Sequence, residues 1–173
     1  MIKEENISYL IDIKGFSHGK QRFEFPLDMI FFDSMGNNRL SDTEDMNAVI
    51  EVERSGSRTE MTLKISGNVI VECDRCLNEI AIPMDIDNRI EVKFAEGLDE
   101  IDDDNSIIVD PNMGEIDMSQ LIYDTVMLSV PMVNYHVDGE CDEDIVNKLN
   151  EKRTEKEKTT PFSNLKDLMN KNS

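Results

Sequence analysis

The chain has 173 residues, with 18 Lys or Arg against 37 Asp or Glu, a formal charge of −19. That length fits one domain or one domain with a tail, and so large an acidic excess argues against a surface built to grip nucleic-acid phosphates, which needs Lys and Arg to displace counterions. No apolar run reaches the roughly 18 residues of a membrane span, and three cysteines, too few for a disulfide framework, suit a reducing cytoplasm.

Residues 1–6 (MIKEEN) place acids where a signal peptide carries basic and apolar regions, so a cytoplasmic location is expected. Ile7, Tyr9, Ile11 and Ile13 fall on one face of a first strand. Gly15 to Gly19, containing His18, reads as a hairpin loop. Phe23, Phe25 and Leu27 share one face of a second strand. Ala48, Ile50 and Val52 alternate with Glu51 and Glu53, and Ser55-Gly56-Ser57 marks a turn. Met61, Leu63, Ile65, Val69, Val71 and Cys73 share one parity, with Gly67 in the series as a bend or bulge. The alternation resumes at Ile80, Ile82, Met84 and Ile86 and runs on through Ile90, Val92 and Phe94. Polar side chains fill most intervening positions, as in antiparallel strands with one face on a core and one in water. The expected arrangement is a twisted meander through residues 47–94.

Glu96 to Asn105 (EGLDEIDDDN) reads as an exposed loop, after which the period changes. Asp117 with Gln120 resembles a capping box in which Asp replaces Ser or Thr. Met118, Leu121, Ile122, Thr125 and Leu128 follow helical spacing, and Pro131 closes the segment. Asp142 to Leu149 predicts a second short helix with Ile145, Val146 and Leu149 apolar. Thr154 to Thr160 reads as a polar linker, and Phe162, Leu165, Leu168 and Met169 form a last amphipathic turn or two. Strands first and helices later predict an α+β fold, a twisted antiparallel β-sheet (meander) with a few short helices in the C-terminal half. Residues 1–150 are expected to form one domain, and 151–173 a polar linker and short basic amphipathic tail.

Charge is unevenly laid out. Ala95 to Asn147 holds fifteen Asp or Glu and no Lys or Arg, whereas Lys148 to Ser173 holds seven bases against four acids. Most such runs are solvated faces, but an acidic stretch of this length also attracts a basic partner.

Cys73-Asp74-Arg75-Cys76 lies between two apolar runs, and Cys141 follows His136 by five residues. The resulting C-x2-C and H-x4-C pairs supply the ligand number and type of a closed structural zinc site at Cys73, Cys76, His136 and Cys141. Three ordinary thiols and a surface histidine explain the same spacing equally well. A thioredoxin-type pair requires C-x2-C at a helix N-terminus, where a strand is expected here. A Cys–His nucleophilic dyad lacks a third orienting group or an oxyanion motif. No phosphate-loop, dinucleotide, nucleophile-elbow or zinc-protease motif occurs, and no enzyme is expected. The eleven methionines mostly occupy core-parity positions and read as core filling.

Val71-Glu72-Cys73-Asp74-Arg75-Cys76-Leu77 resembles the C-x-R-C core of the YceD family, the large ribosomal RNA subunit accumulation proteins. Gly114-Glu115-Ile116-Asp117, with the helix to Leu128 and then Pro131, is similar to that family's G-E-I-D-L block. Thr160-Pro161-Phe162-Ser163-Asn164-Leu165-Lys166-Asp167-Leu168 resembles its closing segment. These anchors, running from about residue 47 to 169, are short but stand in the right order. The resemblance implies a YceD-like domain over 1–150 and a non-enzymatic role in making or accumulating large-subunit (23S) ribosomal RNA. The family's gene also tends to lie beside that of a small basic large-subunit ribosomal protein. In two respects this chain departs from the family: only His136 and Cys141 serve as ligand types in its C-terminal half, and Phe162 stands where relatives carry Arg after Pro. Together with the acidic charge, the resemblance favours capture of a basic large-subunit ribosomal protein. The competing reading is an RNA-binding module that contacts ribosomal RNA through the basic C-terminal tail.

Overall fold

The computed structural model describes residues 8–12, 19–56, 58–94, 106–110, 112, 115–137 and 139–158. These fall into two compact units, one drawn from Met1–Val71 and Ala81–Met132, the other from Glu72–Ile80 and Val133–Ser173. In chain order the elements are β1 (Leu10–Asp12), β2 (Gly19–Pro26), α1 (Met29–Ser34), β3 (Asp42–Ser55), β4 (Arg58–Glu72), β5 (Glu79–Phe94), β6 (Ser106–Val109), β7 (Glu115–Asp117), α2 (Ser119–Ser129) and α3 (Glu143–Lys158). The fold is α+β, with most of its regular structure in strands.

The first unit is built on a five-stranded sheet in the order β2-β3-β4-β5-β6. β3, β4 and β5 are neighbours in chain order, as the meander predicts, and β2–β3 and β3–β4 run antiparallel. The alternation gives no sign of β6; it joins β5 in parallel, pairing Ser106–Val109 with Glu91–Phe94, so the sheet is mixed at that edge. A parallel pair needs a crossover rather than a hairpin. The acidic stretch 96–105, expected to be a loop, lies outside the described residues, as do Ile13 and His18.

One face of the sheet is apolar because each strand alternates. Met61, Leu63, Ile65, Val69 and Val71 of β4 are buried, opposite Ala48, Ile50 and Val52 of β3. On β5 the parity is right but the depth is not uniform: Met84, Ile90 and Val92 are buried, whereas Ile82 and Ile86 are only half-buried. Gly67 sits opposite an irregularity on β3, where the register shifts between Glu44 and Asn47. The glycine is required there, since its φ is +128° and a Cβ would lie 2.6 Å from the Asp45 carbonyl oxygen.

A two-stranded ribbon and two helices complete this unit. β1 pairs antiparallel with β7. α1 is capped by Asp28, whose Oδ1 accepts the Phe31 N–H at 3.0 Å, and it buries Phe31 and Phe32. The Tyr9 ring packs 4.6 Å from Phe31 and 5.4 Å from Phe25, and its hydroxyl donates to the Pro26 carbonyl at 3.0 Å. Burial, and then the Asp28 charge, push this phenol up to about 12. Along α2 the buried side chains are Ile122 and Val126, in line with Met118; Leu128, expected on that face, is 87% exposed. Asp117 ends β7 and accepts the Ser119 N–H at 2.9 Å, while Gln120 donates to Asp124 instead of completing a capping box. Arg39 donates to the Val130 and Pro131 carbonyls just past the end of α2, where such groups lack helical partners.

In the second unit α3 is longer than the sequence suggests. It spans 16 residues, and the linker expected from Thr154 is helical as far as Lys158. Asp142 Oδ1 accepts the N–H groups of Asp144 and Ile145 at 3.0 and 3.2 Å, which caps the helix. Glu143 and Asp144 in the first turn complement the helix dipole. Phe162 to Met169 lie outside the described residues. No helix among the described residues is long and apolar enough to cross a membrane.

Candidate metal centre

The link between β4 and β5 is a tight turn. Cys73 N–H donates to the Asn78 carbonyl at 2.8 Å, and Leu77 N–H donates back to the Cys73 carbonyl at 2.9 Å. Closing so short a turn forces Leu77 to φ +62°, a left-handed conformation that costs a residue with a Cβ. In return the backbone faces the sulfurs. The N–H groups of Cys76 and Arg75 point to Cys73, and that of Asn78 to Cys76.

The second stretch is fastened to this turn by its own hydrogen bonds. Asp74 N–H donates to the Asn134 carbonyl at 2.8 Å, and Asn134 N–H donates to Asp74 Oδ2 at 2.6 Å. Two residues on, His136 Nε2 lies 3.0 Å from the Glu79 carbonyl. A carbonyl only accepts, so Nε2 carries the proton and the Nδ1 lone pair faces the thiols. Nδ1 is 3.4 Å from Cys76 Sγ and 3.9 Å from Cys141 Sγ, and Cys141 Sγ is 3.9 Å from Cys73 Sγ.

The structure thus places Cys73, Cys76, His136 and Cys141 together, with all four ligand atoms within 4.8 Å of one another, where they could hold a metal ion. Bond lengths of ~2.3 Å to sulfur and ~2.0 Å to nitrogen give tetrahedral edges of roughly 3.8 Å between sulfurs and 3.5 Å from sulfur to nitrogen. Three of the separations, 3.4, 3.9 and 3.9 Å, fit that frame, and none exceeds 4.8 Å. Cys73 and Cys76 are buried, and His136 and Cys141 are half-buried.

The electrostatics point the same way. Burial pushes the Cys73 thiol up, but the N–H groups of Cys76, Arg75 and His136 and the Cys76 side chain outweigh it, and its pKa falls from 9.0 to about 6. Cys76 is also lowered, chiefly by the Asp142 N–H. His136 is raised, first by its hydrogen bond to the Cys73 sulfur. Cys141 is raised by burial and then by the neighbouring sulfurs. The Cys73–Cys76 pair is thus shifted towards thiolate, and a cation would relieve the repulsion from these sulfurs that raises Cys141.

Other chemistry fits less well. Cys76 leads into a strand and not a helix, so the setting of a thioredoxin-type pair is absent here. A Cys76–His136 dyad has the distance but not the access, since Cys76 is only 1% exposed. A broad groove of about 640 Å³ in the first unit is lined by alternating charges such as Lys20, Glu51, Arg58, Glu60 and Lys64. Several of these pair with one another, Glu51 with Lys20 and Lys64 and Arg58 with Glu60, leaving few convergent polar groups to hold a small molecule. Asp74, Asn134 and the Glu79 carbonyl, which support the cluster, do not stand out in the sequence, because short polar residues in a turn carry no periodic signal.

The sequence model of the family described as Large ribosomal RNA subunit accumulation protein YceD matches residues 61–169, which include all four cluster residues. No curated protein and no solved structure matches the chain.

Proposed function

Because the chain belongs to the YceD family, named for accumulation of the large ribosomal RNA subunit, we propose that it supports that process by binding a basic large-subunit ribosomal protein and without catalysing a reaction. Charge is the observation that carries the partner reading: fifteen acids and no base from Ala95 to Asn147, in a chain of net −19. Such a surface repels bare RNA and attracts Lys- and Arg-rich protein before that protein meets its RNA.

Zinc is the ion that the donor set suits, with three soft thiolates and one imidazole. In this reading Cys73, Cys76, His136 and Cys141 hold it and brace the turn after β4 against residues 134–141. Four protein donors fill a tetrahedral ion and leave no position for water or substrate, which supports a structural role.

A second reading rests on the C-terminal end of the chain, since Lys148 to Ser173 holds seven bases against four acids. There the tail contacts ribosomal RNA directly. Affinity capture from growing cells, with and without ribonuclease, separates the two. The expected outcome is a ribonuclease-resistant basic ribosomal protein, together with a fall in large-subunit relative to small-subunit RNA when the chain is depleted. Capture of ribosomal RNA that survives loss of every protein partner, and fails without residues 148–173, overturns the protein-capture reading.

A further inference from the structure

The burial pattern of residues 133–137 is inverted. In this stretch of the second unit Asn134 and His136 turn inward, while Val133, Tyr135 and Val137 are 55%, 50% and 72% exposed. Alternation ordinarily sends apolar side chains to the core and polar ones to water. Here the inward positions are taken by the residue bonded to Asp74 and by a cluster ligand, so two β-branched side chains and a tyrosine face solvent. Apolar side chains grouped on a small unit and rimmed by charge mark an interaction surface more often than chance exposure.

Charge states what kind of partner fits. Among the described residues of this unit before Lys148, three acids on 72–80 and four on 139–147 stand against the single base Arg75, and all seven acids are exposed. That base is already engaged, its guanidinium 5.0 Å from the centre of the Tyr135 ring. The contact holds the ring in place before any partner arrives, which lowers the ordering cost of binding.

We propose that Val133, Tyr135 and Val137 form the surface on which a basic protein partner docks, with Tyr135 as anchor and the surrounding carboxylates meeting the partner's Lys and Arg. The inference rests on the protein-capture reading and assigns it a place. The partner segment must carry apolar side chains among its bases, since the rim alone gives rate and selectivity, while the buried anchor slows release.

The test uses the full chain, the triple variant Val133→Ser/Tyr135→Ser/Val137→Ser, and large-subunit ribosomal proteins extracted free of RNA as the probe. The parent chain should capture a basic protein from that mixture. The triple variant should bind the purified captured protein at least about tenfold more weakly, while keeping the parent's metal content and melting temperature. In the parent itself, bound partner should slow amide hydrogen exchange across 133–137, a readout that survives even if the variant folds poorly. Equal affinity of the two chains together with unchanged exchange overturns the surface and leaves the protein-capture reading standing. Failure of the parent to capture any protein removes that reading and this occupant with it. A gain in affinity on deleting 159–173, matched by faster exchange at 133–137, identifies the chain's own C-terminal segment as the occupant and also overturns the proposal.

Discussion

Leu77 shows most directly what the tight turn after β4 demands of the sequence. Its φ of +62° is natural for glycine and disfavoured for leucine, and its side chain is 67% exposed, so little packing compensates. Leu77→Gly removes a left-handed penalty of ~1–2 kcal/mol but adds unfolded-chain freedom. The expected outcome is a neutral to stabilising change of up to about 1 kcal/mol, read as the melting temperature of the metal-loaded chain. At the cluster, protein purified without chelator should carry about one zinc per chain, and Cys73→Ser should lose it. Protons compete with the ion for all four donors, so affinity falls as pH falls. Cys141, whose thiol is raised, is the first donor for which protons compete, and Cys73, lowered to about 6, is the last. Affinity should therefore fall gradually through the thiol range and steepen as the pH approaches about 6. A zinc titration at a series of pH values checks it. The four residues of the cluster were legible in the sequence as candidate donors because Cys and His are rare here and their spacings are those of ligand pairs. The strain at Leu77 and the Asp74–Asn134 bonds were not, since the first arises from closing one tight turn and the second from how close two distant stretches come.

Among the elements, depth of burial decides what a substitution does. Leu63 is fully buried on β4 and Ile82 only half-buried on β5, although the alternation treats them alike. Leu63→Asp is expected to destabilise by roughly 2–5 kcal/mol, as an unpaired charge in a core does. Ile82→Asp should cost clearly less, and equal denaturant midpoints for the two variants count against this core. Gly67→Ala places a Cβ against the Asp45 backbone and should cost about 1–3 kcal/mol by overpacking and strain. The long strands could be read from sequence because each buries one face over many residues. α1, β6 and β7 are 6, 4 and 3 residues long, too short for a period to show. Leu128 misled because helical spacing alone cannot tell which edge of an apolar stripe meets the core.

For the whole molecule, charge sets the mode of association. If capture of a basic protein is steered by the acidic stretch, its association rate should fall steeply as salt is raised and the Debye length shrinks from about 10 Å at 0.1 M to about 3 Å at 1 M. Dissociation, governed by the apolar anchor, should change far less, and rates measured across a salt series test the division. The partition into two units also has a consequence in time. Cys76 and His136 are 60 residues apart in the chain yet 3.4 Å apart at the cluster. At a synthesis rate of about 5–20 residues per second, the first pair of thiols leaves the ribosome roughly 3–12 s before the histidine does. Throughout that interval only two of the four candidate donors, Cys73 and Cys76, are outside the ribosome, too few to close a tetrahedral site. The two stretches of the second unit therefore cannot meet until the strands up to β7 and the helix α2 have been synthesised.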